Sequence, residues 1–391
     1  MSTNKTGMVA AGAPPQGIAV PGVSIPTTAS LLRPIDRVAD QLRNCLVERE
    51  KEIQAILTAV VAKQHVLFVG QPGTAKSLVC RAFASCIDCR DFEVLLSKFS
   101  SPEELFGPVN ISAMKEGRYE RVVTGALPEA EIAFVDEFFK GSSAIQNTLL
   151  TAMNERRFKN GTDVLDIPLL TLVAASNEWP VGEGFMEAAA IFDRFLIRRE
   201  VKPISSIRHR ALIWNDLPSP VQVATLADIL QAQDDARRLP VSTEAMDAME
   251  QIIAKLKVEG IVVGDRRMAH AKSAVKAACY LRGGVEVEAQ DLQVLVDIFW
   301  TDPKEHPKKA RKVIMEICNP QGERIIELQS AAEEAIAGVK DYAGGITASK
   351  KVEEILKELK KLEGQGNHSA SESIRTVATL RMEMAKAHLG L

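Results

Sequence analysis

Residues 70–77, Gly-Gln-Pro-Gly-Thr-Ala-Lys-Ser, have the spacing of a phosphate-binding loop, G-x-x-x-x-G-K-[ST], with Ala75 where the pattern has its second glycine. Gly70 and Gly73 allow the backbone angles that turn successive N–H groups towards an anion. Lys76 has the reach for the β and γ phosphates of ATP, and Ser77 offers a hydroxyl to Mg²⁺. Gln71, Pro72, Thr74 and Leu78 complete the expected loop contacts, and Val47, at a break between two upstream helices, is placed with them. Four apolar residues, Ile132 to Val135, run into Asp136 and Glu137, so Asp136 can share the Mg²⁺ while Glu137 polarises an attacking water. A second apolar run, Leu172 to Ala175, leads to Asn177, whose amide can orient the same water from a neighbouring strand tip. Arginines complete the set. Arg194, in Phe-Asp-Arg-Phe, is the candidate for a guanidinium donated across a subunit boundary, a contribution of about 10³ to 10⁵ in rate. Arg198 and Arg199 are its alternatives. Arg266, after Gly264-Asp265, is expected to reach the γ phosphate from a lid helix, with Arg267 as its alternative.

These residues act together only if strands carry them to one sheet. The apolar runs His65–Val69, Phe92–Leu96, Ile132–Val135, Leu169–Ala175 and Phe195–Val201 alternate with helix-like segments, which predicts an α/β domain with a five-stranded parallel sheet. Two helices precede it, through Ile35, Val38, Leu42 and Leu46 and then Ile53, Ile56, Leu57 and Val60; residues 77–87 read as the helix after the loop. Beyond Pro203 the strand signal stops, and helical periodicities over Val221–Arg238, Thr243–Lys257, Arg266–Leu281 and Gln290–Trp300 predict an all-α lid. Thr301–Lys312, with two prolines and mixed charge, reads as a linker. Helices follow, the clearest over Ser349–Leu362, with Val352, Ile355, Leu356, Leu359 and Leu362 on one stripe and a stop at Gly364-Gln365-Gly366. The expected organisation is a flexible tail over 1–29, the α/β ATPase domain over 30–203, the lid over 204–300 and a helical C-terminal extension over 301–391.

Composition removes several classes. With 46% hydrophobic and 25% charged residues, the 391-residue chain is neither collagenous nor wholly disordered. A net charge of −3 leaves no global basic field for nucleic acid or an anionic membrane. The basic cluster from Lys304 to Lys312 is interrupted by acids and has no aromatics for base stacking. No apolar run approaches a membrane span, and no signal-peptide core is present at the N-terminus. Six cysteines are too few for a disulfide framework, which points to a reducing compartment, the cytoplasm. Cys86 and Cys89 have C-x-x-C spacing without a partner pair, and the six histidines lack metal-ligand spacing, so both groups read as structural.

The motif order of phosphate loop, Asp-Glu, Asn, Asp-Arg and lid Arg resembles an AAA+ ATPase of the MoxR family, near its RavA-like subgroup, over residues 31–300. The most specific stretches are 73–78, 99–108, 117–121, 127–131, 147–156 and 173–178. Ala75 resembles what the RavA-like subgroup carries. The resemblance implies a hexameric ring with ATP between subunits, Lys76, Ser77, Asp136, Glu137 and Asn177 acting in cis and Arg194 in trans. Residues 107–127 resemble a helix 2 insert. Arg157 to Val164, with Asn160-Gly161 as an expected type I′ turn, resembles a pre-sensor 1 hairpin. Both would face the pore. The implied work is chaperone-like remodelling, maturation or metal-cofactor insertion of a client complex, with a von Willebrand factor A domain protein as partner. A nucleic-acid motor and a nucleotide-dependent assembly scaffold are the alternatives.

Overall fold

The computed structural model describes residues 32–180, 191–204, 210, 212–214, 217–339, 342–363 and 368–388; the expected tail over 1–29 and the stop at 364–366 lie outside them. The described residues from Pro34 onwards form one compact unit. Helices α1 (Pro34–Cys45) and α2 (Glu50–Ala62) lead into β1 (Val66–Val69), and α3 (Lys76–Ser85) follows the loop. Then come β2 (Ile87–Asp88), β3 (Asp91–Leu95), α4 (Pro102–Phe106), α5 (Ile111–Lys115), β4 (Ile132–Asp136) and α6 (Ser143–Glu155). A hairpin of β5 (Arg157–Asn160) and β6 (Asp163–Asp166) precedes β7 (Thr171–Ser176) and β8 (Ile197–Glu200).

Five of these strands form one parallel sheet in the order β3-β4-β7-β1-β8, so the expected α/β class and strand number hold. Every residue of β1 and β7 is buried, as expected of central parallel strands that read as unbroken apolar runs. The order puts the C-terminal ends of β1, β4 and β7 side by side, and that edge is where Gly70, Asp136 and Asn177 emerge. α2 is apolar on nearly all sides, so it must be covered on all sides. The sheet covers one face and the lid helices the other.

The lid begins with β9 (Ala224–Thr225), which pairs in parallel with β2, a two-residue match that the helical reading of 221–238 missed. Thr225 caps α7 (Leu226–Arg238) in a capping box with Asp228, which fixes the helix start there. α8 (Thr243–Val258), α9 (Asp265–Arg282) and a 3₁₀ helix over Ala289–Asp297 complete the sequence expected up to Trp300, the last segment being 3₁₀ rather than α. The expected linker over 301–312 is corrected. α10 spans His306–Cys318, with Pro307 in its first turn, where a missing N–H costs nothing. Ala310, Val313, Ile314 and Cys318 join the same buried core as the lid.

α11 (Pro320–Ala337), α12 (Tyr342–Glu363) and α13 (His368–His388) enclose a second core of Ile325, Leu328, Ala332, Val352, Ile355, Leu359 and Val377. The leucine stripe of residues 349–362 is therefore interior to this helical trio. No helix among the described residues is long and apolar enough to cross a membrane.

Candidate nucleotide site

The loop after β1 is held in shape before any ligand is considered. Gly70 N donates to Ser176 O at 3.1 Å, tying the loop to β7, and a Cβ on Gly70 would collide with the Val201 carbonyl oxygen. Gly73 has φ +79°. Ala75, the departure from the glycine pattern, is left-handed at φ +65° and forms the N-cap of α3. The chain thus keeps the conformation that a glycine would hold more easily, and the alanine carries the strain. Thr74 Oγ1 donates to Gln71 O at 2.8 Å, which closes the loop on itself.

Lys76 is buried, and its ammonium donates to Gly70 O at 2.6 Å, Gln71 O at 3.1 Å and Asn177 Oδ1 at 3.1 Å. Burial holds its pKa below the usual lysine value, while Asp136 and Glu137 oppose that shift. Ser77 Oγ donates to Asp136 Oδ2 at 2.8 Å, and Asp136 Oδ1 accepts from Glu137 N at 2.9 Å. Glu137 is left-handed at φ +51°, a strained placement of the kind found where a side chain must be aimed. Its carboxylate accepts from Asn177 Nδ2 and pairs with Lys140 at 3.3 Å. Asn177 thus bridges the loop lysine and Glu137, and Lys76, Ser77, Asp136, Glu137 and Asn177 form one connected network. Leu78 is exposed beside the network on α3, and Val47 sits half-buried in the bend between α1 and α2, both of which pack against α3.

Ser77 and Asp136 present two hard oxygens to each other, a donor set that suits Mg²⁺. Among the described residues no group of three or more His, Cys, Asp or Glu could hold a metal. Cys86 and Cys89 are free, and burial pushes each thiol up to about 12.

The arginines are elsewhere. Arg194 and Arg266 line a pocket of about 340 Å³ with Lys63, His65, Asn154 and Arg156. His65 precedes β1, whereas the loop follows it, so β1 separates this pocket from Lys76. Within one protomer, Arg266 therefore stands away from the loop that carries Lys76. The lid helix α9 packs on α2, and Gln64 Nε2 donates to Ser273 Oγ at 3.2 Å, which brings α9 to the N-terminal end of the sheet. Arg194 is half-buried, its Nε has no hydrogen-bond partner, and burial followed by Arg266 lowers its pKa. Arg266 donates to Asn154 Oδ1 at 2.8 Å.

The alternatives are engaged within the protomer. Arg267 is buried against Asp193 and donates to Ile298 O at 3.2 Å. Arg198 is 1% exposed, lies over the rings of Phe192 and Trp300 at 4.6 and 4.5 Å, and donates to Ile298 O and Trp300 O. Arg199 pairs with Asp297 and, at 3.5 Å, with Glu52. Sequence reasoning gave Asn154, Arg156 and His65 no site role; the first two lie in the 147–156 stretch, and His65 meets them only through the fold.

The hairpin and the 107–127 segment are joined. Asn160 accepts from Arg121 N at 2.6 Å and donates to Arg121 O at 3.0 Å, and Phe158 stacks on Phe106 at 5.2 Å. Asn160 pairs with Asp163, so the two-residue loop is Gly161-Thr162. Positive φ at Gly161 but not at Thr162 matches type II′ rather than the expected type I′ turn.

A parallel sheet with a phosphate-loop network at its C-terminal edge, followed by a helical lid, defines an AAA+ architecture. The family model described as the MoxR domain in the MoxR-vWA-beta-propeller ternary systems matches residues 33–230, and that of an AAA lid domain matches residues 244–314. The chain belongs to the MoxR family of AAA+ ATPases. It is similar to two uncharacterized proteins of Methanocaldococcus jannaschii. One is 33% identical over 92% of this chain and 90% of the relative, the other 37% identical over 70% and 73%. The chaperone MoxR1 of Mycobacterium tuberculosis is 24% identical over 61% of this chain and 63% of its own length. The solved structure of a "putative ATPase" from Cytophaga hutchinsonii shares the fold at TM-score 0.60 and 17% identity, over 74% of this chain and 96% of that one.

Proposed function

We propose that the protein hydrolyses ATP with Mg²⁺ as part of a ring, most simply a hexamer, and uses the cycle for chaperone-like remodelling of a client protein complex. The observation that carries this reading is the separation of the lysine–asparagine–glutamate network from the arginine pocket. Each protomer holds two halves of a site at opposite ends of its sheet, and a head-to-tail ring would join one subunit's loop to the next subunit's arginines.

In this reading Lys76 exchanges backbone acceptors for phosphate oxygens, and Ser77 and Asp136 hold the ion. The ion neutralises charge on the phosphates. Glu137 takes the proton of the attacking water, and Asn177 fixes both Glu137 and Lys76 in direction. Arg194 and Arg266 meet the neighbour's γ phosphate, where charge spreads in the transition state.

The MoxR-vWA-beta-propeller name of the matching family supports a von Willebrand factor A domain protein as partner, with maturation or metal insertion as the client's gain. A RavA-like assignment rests on the motif series as a whole, with which Ala75 agrees, and the matching family model is named for the beta-propeller systems. A cytoplasmic setting belongs to the same reading. ATP turnover per subunit against protein concentration, with mass from light scattering, tests it. Turnover rises as a nucleotide-dependent ring assembles. Rings without turnover, with or without a partner, would favour the scaffold.

A further inference from the structure

Arg266 is held in an unusual way for an arginine beside a carboxylate. Asp193 is the sole carboxylate lining its pocket among the described residues, and it is already engaged by Arg267 and, at 3.8 Å, by Arg194. Arg266 instead donates to the neutral amide oxygen of Asn154 at 2.8 Å. A neutral acceptor fixes the direction of a guanidinium without cancelling its charge, which suits a cation meant for an incoming anion.

Asn154 also occupies a mechanically stiff place. It lies in the last turn of α6, two residues before Arg156, which closes the helix in the left-handed region at φ +55°. Arg156 donates to Lys63 O at 3.1 Å and Leu170 O at 3.3 Å, accepts from Ile167 N at 2.8 Å, and is followed at once by β5. The preceding residue, Met153, offers its carbonyl to His65 Nε2 at 3.1 Å. No slack separates Asn154 from the hairpin.

We propose that Asn154 is a positioning residue for Arg266, orienting its guanidinium towards the neighbouring subunit's nucleotide and tying that orientation to the base of the 157–166 hairpin. The proposal rests on the reading of Arg266 as a residue acting in trans. Neither the lid nor the loop supplies this contact; α6, the helix that carries the hairpin, does. A displaced hairpin would then misdirect Arg266 on one subunit and slow hydrolysis at the site of the next.

The test is a double-mutant cycle on the assembled protein, read as single-turnover ATP hydrolysis with enzyme in excess, so that slow variants stay measurable. Asn154→Ala lowers the rate roughly tenfold with nucleotide affinity within about twofold of wild type. In an Arg266→Ala background the same substitution changes the rate by less than about twofold. A general structural role would lower the rate equally in both backgrounds, and that result overturns the proposal while leaving the ATPase reading intact. Wild-type rates for Arg266→Ala itself would instead overturn the trans role of Arg266, and the proposal with it.

Discussion

Glu137→Gln separates catalysis from stability because the structure fixes what each loses. The glutamine keeps an oxygen to accept from Asn177 Nδ2, and the φ of +51° is no harder for it than for glutamate. What disappears is one charge and its pairing with Lys140 at 3.3 Å, a lysine whose side chain is 52% exposed. A pair that open to water contributes roughly 0.2 to 1 kcal/mol. At about 2 to 4 °C per kcal/mol for a domain of this size, the melting point moves by no more than about 4 °C. ATP affinity stays, since Lys76, Ser77 and the loop are untouched. Turnover loses its general base, a factor of about 10² to 10⁴, or roughly 3 to 6 kcal/mol in barrier at about 1.4 per decade. Phosphate release, equilibrium nucleotide binding and thermal melting on one preparation give all three numbers. Turnover within threefold of wild type, with affinity intact, would refute the assignment of Glu137. Affinity lost together with turnover would show that Glu137 holds the nucleotide rather than the water.

Two further outcomes follow from the core of the site. In Gly70→Ala the new Cβ meets the Val201 carbonyl, whose residue also donates from its N to Val69 O at 2.7 Å, so β1 and β8 must part. The cost is about 1 to 3 kcal/mol, seen as a melting point several degrees lower, and an unchanged melt would contradict the crowding. His65 accepts from Leu172 N on Nδ1 at 2.9 Å and faces Met153 O with Nε2 at 3.1 Å, which requires the neutral Nε2–H tautomer. Burial, then Arg156, depresses its pKa, so the folded state binds fewer protons than the unfolded one. Stability is fully present above the unfolded value near 6.5 and falls below it by up to about 1.4 kcal/mol per pH unit. His270, depressed by burial and then by Arg266 and Arg194, adds in the same direction. A urea midpoint that does not fall between pH 7 and 5.5 would contradict this.

The loop network of the candidate site was legible because its parts are local. Each sits at the end of an apolar run, and parallel strands deliver their C-terminal ends to one edge, so the order Lys76, Asp136, Asn177 along the chain becomes a cluster in space. The arginine half was legible as residue types but not as a place. Nothing in the spacing of Arg266 tells that α9 packs on α2 rather than over the loop; that follows from α2 being apolar all round and needing a cover. The bond from Arg266 to Asn154 joins residues 112 apart in sequence through that packing. In the same way, two strand residues at 224–225 are too few to show a period, and Pro307 reads as a break until its place in the first turn of α10 is known. The hairpin was visible in Asn160-Gly161, but its register was not, because the side chain of Asn160 is engaged with Arg121.

The central claim is that one site is divided between neighbouring subunits, and mixing two inactive variants tests it directly. Glu137→Gln leaves the arginine half intact, and Arg194→Ala leaves the loop half intact. In randomly mixed rings about a quarter of the interfaces join one intact half to the other. The divided site predicts that turnover in the mixture exceeds both parents and approaches about a quarter of wild type for independent sites. A mixture no more active than its two components measured separately, or full turnover by Arg194→Ala alone, would contradict it.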